Sequence, residues 1–218
     1  MGYFPKRELR AGLDLDQSLD TLPDETTLEE TKRNIEERSI AVSIFEDDEN
    51  ALQYLKDQVP TRATVMNGRS TTMHDIGLIE YLQEEPNFSY LKNQIRQIDD
   101  DEDRRDTRRK AVTADVFFDS PNAIASTGEI VGVNGLGTSL GAWPYAAKRL
   151  VLVSGTNKIV PTLEDAIDRV RNFAYPLEDA RVQKAQNHRS VIGKLMIYEF
   201  EKLDQRTELA LIDGNYGF

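Results

Sequence analysis

Residues 115–170 read DVFFDSPNAIASTGEIVGVNGLGTSLGAWPYAAKRLVLVSGTNKIVPTLEDAIDRV, and they decide the fold. ADVFFD at 114–119 and RLVLVS at 149–154 are short apolar runs rich in β-branched and aromatic residues. Such runs are strands buried on both faces, as in a parallel sheet. Between them, 123–126 and 129–134 flank Thr127-Gly128, the pattern of a β-hairpin. Glycine-rich NGLGTS at 134–139 precedes a short helix over 140–147. Thr162 caps a helix over 163–172, and Pro176 is expected to end it.

Outward from this stretch the alternation continues. A helix from Thr26 or Thr27 to about Arg38, with capping-box spacing to Glu29 or Glu30, leads into a strand at 40–45. A second helix runs through Ala51, Tyr54 and Leu55, and a strand follows at 61–67. One helix from Ser70–Thr72 carries Ile76, Ile79, Glu80 and Leu82 and closes at Pro86; another spans 88–98. Residues 191–200 and 208–212 are late strands. Strands alternating with helices predict an α/β fold: a mostly parallel sheet covered by helices on both faces, with an inserted β-hairpin. Residues 25–218 form one domain in this reading. Residues 1–24 lack periodicity and are expected to be a flexible arm. DDDED at 99–103 followed by RRDTRRK reads as a solvated turn leading into a surface helix, although the charge flip also suits an interaction site.

The chain has 218 residues, a formal charge of −11 and 39% apolar residues. That size supports a core without staples. The negative charge argues against nucleic acid and acidic lipid as partners. Zero cysteine excludes disulfides, a thiolate nucleophile and a cysteine-held iron–sulfur cluster. With only two histidines, His74 and His188, no metal site is expected. No stretch approaches the roughly 20 apolar residues of a spanning helix. With no secretory signal visible at the start, a cytoplasmic protein is expected.

Ligands of open parallel sheets bind beyond the carboxyl ends of the strands. Three candidate loops leave strands there. The first carries Gly68, Arg69, Ser70 and Thr71, suited to an anion at a helix start or to a plain N-cap. The second carries Asn134, Gly135, Gly137 and Thr138. It resembles half of a dinucleotide fingerprint, but it lacks the ribose-binding acid about 20 residues on, so no dinucleotide is expected. The third carries Asn157 and Lys158. These residues are expected to line one anion pocket, with Lys158 on an open loop where losing its charge weakens binding but hardly alters stability. His74, Asp119, Glu129 and Lys158 are candidates for proton transfer, each with an ordinary structural role as the alternative. No GxSxG, Walker loop or HExxH occurs.

The stretch at 115–170 also resembles the LUD (lactate utilisation) domain, the family of lactate utilisation proteins B and C. The resemblance lies in Asn122-Ala123-Ile124 with Gly128-Glu129-Ile130, in the Gly135–Gly137 loop, and in Lys148-Arg149-Leu150-Val151. It continues through Gly155-Thr156-Asn157-Lys158-Ile159-Val160 and the helix from Glu164 to Arg169. Upstream GRSTTMHDIG (68–77) and downstream ELALIDGNYGF (208–218) extend it. The resemblance implies a fold like the NagB/RpiA/CoA-transferase superfamily. It also implies a subunit of a complex oxidising L-lactate to pyruvate, with iron–sulfur centres in partner subunits and no cofactor bound by this chain. A small carboxylate or phosphorylated ligand would be held, and self-association stays open. Family loops more often read Asp-Gly-x-Gly-Asn-Arg, so the anion-binding arginine is missing at Thr138-Ser139. Many relatives carry cysteines within the stretch that is 183–207 here. The alternatives are a free-standing enzyme acting on a sugar phosphate or acyl-CoA, and a non-catalytic assembly module.

Overall fold

The structure, a computed structural model, describes residues 3–218. The strands are β1 (Ala41–Phe45), β2 (Thr64–Asn67), β3 (Ser89–Tyr90), β4 (Val116–Asp119) and β5 (Ala123–Ala125). They continue with β6 (Ile130–Asn134), β7 (Arg149–Gly155), β8 (Ile159–Val160), β9 (Lys194–Tyr198) and β10 (Thr207–Ile212). Six form one sheet in the order β1-β10-β7-β4-β2-β3, every neighbouring pair parallel. The central strands β4, β7 and β10 carry almost wholly apolar runs because both of their faces are covered.

Alternation along the strands sorts side chains into two layers. Val116, Phe118, Val151, Val153, Ala210 and Ile212 pack with residues of the helices Asp48–Asp57, Thr71–Asp75 and Leu78–Glu84. Phe117, Leu150, Leu152, Leu209 and Leu211 face the other way, onto Ile35 of the helix Glu25–Glu36, Trp143, and Ile124 and Ile130 of the hairpin. The hairpin is larger than the sequence suggests. β5 and β6 are the antiparallel centre of a second, four-stranded sheet in the order β8-β5-β6-β9. Among the described residues no helix is long and apolar enough to cross a membrane.

Three helix expectations change. The helix expected from residue 70 to 82 breaks at Gly77, which takes a left-handed conformation (φ +76°) that glycine adopts without strain. Residues 88–98 begin as the edge strand β3, and the helix is only Leu91–Arg96. Pro176 does not stop its helix. A π-helical turn, Val170–Ala174, follows Leu163–Arg169, and Pro176 sits in the first turn of Tyr175–Gln186, where its missing N–H costs least. The charge flip forms the helix Asp101–Ala111, acids in its first turn and bases in its last, which complements the helix dipole.

The arm is not loose. Of residues 3–24, Lys6–Leu9 is helical and Gln17–Asp20 forms a 3-10 turn. Leu9, Leu15 and Leu19 are buried with Phe173, Leu177 and Phe218. Their spacing fits neither a helix nor a strand, because irregular backbone carries them over the surface, and so no period betrays the contact. Backbone amides across 6–20 should therefore exchange much more slowly than in a free peptide. Free-peptide exchange rates there would show that the arm does not pack.

Candidate functional site

Because β2, β4, β7 and β10 run parallel, Asn67, Asp119, Gly155 and Ile212 all end at one edge of the sheet. Two of the three expected loops meet there. Lys158 Nζ, in the turn after β7, donates at 2.9 Å to Thr72 Oγ1, at the start of the helix that follows β2. It also donates to Ser120 Oγ and to the Pro121 carbonyl, each at 3.0 Å, just after β4.

Asp119 and Lys92 carry the unusual chemistry of this edge. The Asp119 carboxylate is buried, its Oδ2 accepting from Trp143 Nε1 at 2.8 Å and its Oδ1 from the Ser120 N–H at 3.0 Å. Burial raises its pKa from 3.8 to about 6, against the lowering by hydrogen bonds from Trp143, Ser120 and Ser139. Gly68 lies against it so closely that a Cβ there would meet Asp119 Oδ1 at 2.0 Å. Lys92 Nζ donates to Asn67 Oδ1 and to the Gly68 carbonyl, both at 3.3 Å. Tyr90 shares the same Asn67 oxygen at 2.6 Å. Burial, and then the cations Arg96 and Arg69, push the Lys92 pKa down to about 7, while Asp119 opposes them. Lys92 remains partly exposed. Asp119 and Lys92 thus both titrate near neutral pH beside Gly68, a combination that occurs at functional sites.

The other expected residues divide. Arg69 is half exposed, 3.8 Å from Glu178 Oε1. Ser70 is an ordinary N-cap, its Oγ accepting from the Met73 N–H at 3.1 Å. A Cβ on Gly217 would meet Thr71 Oγ1 at 2.9 Å, so Thr71 lies under the chain terminus. Asn157 and Lys158 are fully buried, not on an open loop. Burial, with Arg169 and Lys6 nearby, drives the Lys158 ammonium well below its usual pKa. The second loop closes on itself. Asn134 Oδ1 accepts the N–H groups of Leu136, Gly137 and Thr138 at 3.0, 2.7 and 3.2 Å, so the donors that would cradle an anion already have a partner. Gly135 packs under Gly193, whose Cβ would lie 1.9 Å from the Gly135 carbonyl oxygen. From this loop Ser139 alone reaches the edge, at Asp119.

His74 pairs with Glu80 at 3.2 Å, a contact the break at Gly77 makes possible. Glu129 is tied to Arg38 at 2.6 Å, three residues before β1, which sets it at the opposite end of the strands. Lys92, Asn67, Arg169 and Asp20 escaped the sequence reading because nothing in their spacing distinguishes them from surface polar residues. Trp143, the single tryptophan, was the one available signal. Among the described residues no group of three or more His, Asp or Glu could hold a metal ion.

Two outcomes follow from this geometry. Lys158→Ala removes three buried hydrogen bonds, to Thr72, Ser120 and the Pro121 carbonyl, and should cost about 2–4 kcal/mol in urea unfolding. Lys148→Ala, whose side chain is 81% exposed, should stay within about 0.5 kcal/mol. Equal effects would place Lys158 at the surface. Asp119 binds its proton more tightly folded than unfolded, so its contribution to stability falls as pH rises from about 4 to about 6 and stays low above. Asp119→Asn should remove a pH slope amounting to about 3 kcal/mol across that window. Identical parent and variant profiles would contradict the burial.

The LUD domain family matches residues 28–199. No curated protein matches the chain. Among solved structures, a DUF162 family protein from Deinococcus radiodurans superposes with a TM-score of 0.51 at 13% identity, covering 89% of this chain and 100% of that one. At that identity the likeness concerns the fold, and it supports the α/β architecture described above. With the family match spanning most of its length, the chain belongs to the LUD domain family.

Proposed function

We propose that this chain is the anion-holding subunit of a cytoplasmic complex that oxidises L-lactate to pyruvate. Its partners supply the iron–sulfur centres, and the chain itself binds no cofactor. Family membership supports the lactate assignment. One observation carries the anion-holding role. In a protein of net charge −11, the Lys92 ammonium lies in the field of Arg69, Arg96 and Arg108, with Asp119 as the acid acting on it. Arg108 comes from the basic half of the 99–110 charge run. An anion beside Gly68 and Lys92 would relieve that repulsion, and the strand-end position is where parallel sheets hold ligands.

A second reading, a free-standing enzyme on a sugar phosphate or acyl-CoA, is favoured by the Asp119–Lys92 pair. One carboxyl near pH 6 and one amine near pH 7 suit general acid–base work. Turnover of such a substrate by the isolated chain would favour it.

Binding of an anion favours charged Lys92. At pH 8 the amine is mostly neutral, so binding of L-lactate should take up a proton and weaken as pH rises above about 7. Calorimetry in two buffers of different ionisation enthalpy reads the uptake directly. Lys92→Met should abolish it and cost roughly tenfold or more in affinity. Binding without proton uptake, or unchanged in the variant, would remove Lys92 from the site. Purification of the tagged chain from its source tests the assembly. Co-purifying iron–sulfur protein with lactate-dependent dye reduction is expected, and an isolated chain with neither overturns the subunit reading.

A further inference from the structure

The Asp20 carboxylate lies buried at the carboxyl edge of the sheet, held as a bound ligand would be. Its Oδ1 accepts from Asn157 Nδ2 at 2.8 Å and Arg169 Nη2 at 3.2 Å. Its Oδ2 accepts from Asn215 Nδ2 at 3.1 Å. Lys6 Nζ reaches both oxygens, at 3.1 and 3.0 Å, and Arg10 Nη2 comes within 3.5 Å. Asn157, Arg169 and Asn215 belong to three separate parts of the body: the turn after β7, the helix Leu163–Arg169, and the tail after β10. Lys6 and Arg10 arrive with the arm. The side chains of Arg169 and Asp20 are 0% and 1% exposed.

Arg169 is not fully used. Its Nη1 donates to the Asn122 carbonyl and its Nη2 to Asp20, while its buried Nε has no partner among the described residues. In a guanidinium, Nε–H and one Nη2–H point out along the same edge, the fork that grips a carboxylate with two parallel bonds. Asp20, restrained by its own backbone turn, takes one prong of that fork. A surface groove lined by Lys6, Arg7, Arg10, Asp75, Asn215 and Tyr216 borders the socket and shares three of its residues, Lys6, Arg10 and Asn215. Arg169 also sits where the α-helix passes into the π-helical turn, an irregularity common at functional sites.

We propose that Arg169, Asn157 and Asn215 form a binding site for a small carboxylate, occupied in cis by Asp20, and that a free carboxylate exchanges with Asp20 and releases the arm. The site is separate from the Lys92 cluster, and the inference does not rest on anion binding there. A free acid can turn to fill both prongs of Arg169, which the tethered side chain does not. The tether gives Asp20 a high effective concentration, so the intact chain resists exchange until the arm is loosened.

Asp20→Gly in the full chain empties the socket and leaves its cations without a counter-charge. Its melting midpoint should fall by roughly 10 °C. Acetate or L-lactate at matched ionic strength should then restore most of that loss, saturably, whereas chloride should not, and the parent should hardly respond. The same recovery should persist in Asp20→Gly combined with Lys92→Met, which isolates this socket from the Lys92 cluster. Recovery by chloride and acetate alike, or by neither, overturns the site. Loss of recovery with Lys92→Met assigns the effect to the Lys92 cluster and also overturns it. Asp20→Asn keeps the side-chain shape and serves if the glycine variant does not fold. In it, acetate should speed amide exchange across residues 6–19 several-fold over chloride, and unchanged exchange overturns release of the arm.

Discussion

The contact on which the carboxyl edge of this protein depends is Asp20 on Arg169. Arg169 and Lys158 are both buried, and Lys158 lies in the repulsive field of Arg169 and Lys6. Burying charge is costly unless it is paired and hydrogen-bonded. Lys158 meets the requirement with two hydroxyls and a carbonyl, its ammonium pKa far below normal. Arg169 stays charged over the whole physiological range and needs an anion. Asp20 supplies it from 149 residues away in sequence, and thereby fixes the arm across the turns after β7 and β10. The apolar contacts of Leu9, Leu15 and Leu19 then close over Phe173 and Phe218.

The same edge holds a second group of cations with the opposite balance. Around Lys92 the cations Arg69, Arg96 and Arg108 act against Asp119, whose own carboxyl is pushed toward the neutral form by burial. Arg169 is thus matched directly by an internal carboxylate, whereas at Lys92 burial and the neighbouring cations outweigh Asp119. That difference supports the proposal of an external anion at Lys92, and of a ligand at Arg169 that must compete with the arm. The close approach of Gly68 to Asp119 ties the two regions together, because Ser120, next in sequence, accepts from Lys158.

The sheet was legible in the sequence because its central strands are continuous apolar runs. The residues VFFD of β4 and RLVLV of β7 leave little else to read, and the hairpin turn at Thr127-Gly128 has its own chemistry. The convergence of the Gly68 and Lys158 loops also followed from parallel strand order alone. What local pattern could not show was burial. Lys158 looked like a loop lysine because the three acceptors around it come from turns far away in the chain. Asn134 looked like part of an anion cradle because nothing in the letters says that its own side chain would take the free N–H groups. Pro176 looked like a stop because a π-helical turn, which lets the chain continue, has no sequence signature. Asp20 sat in a stretch without period, and its role depends wholly on tertiary contacts.

The central claim is that Asp20 and Arg169 form one coupled unit. A double-mutant cycle with Asp20→Asn and Arg169→Gln, read by urea unfolding, tests it most directly. Strong non-additivity is expected: Asp20→Asn leaves the Arg169 guanidinium without its carboxylate, Arg169→Gln leaves Asp20 to Lys6 and Arg10, and the second change then costs less than it does alone, with a coupling of about 2–3 kcal/mol. Additive losses within about 0.5 kcal/mol would show two independent residues and would overturn the coupling.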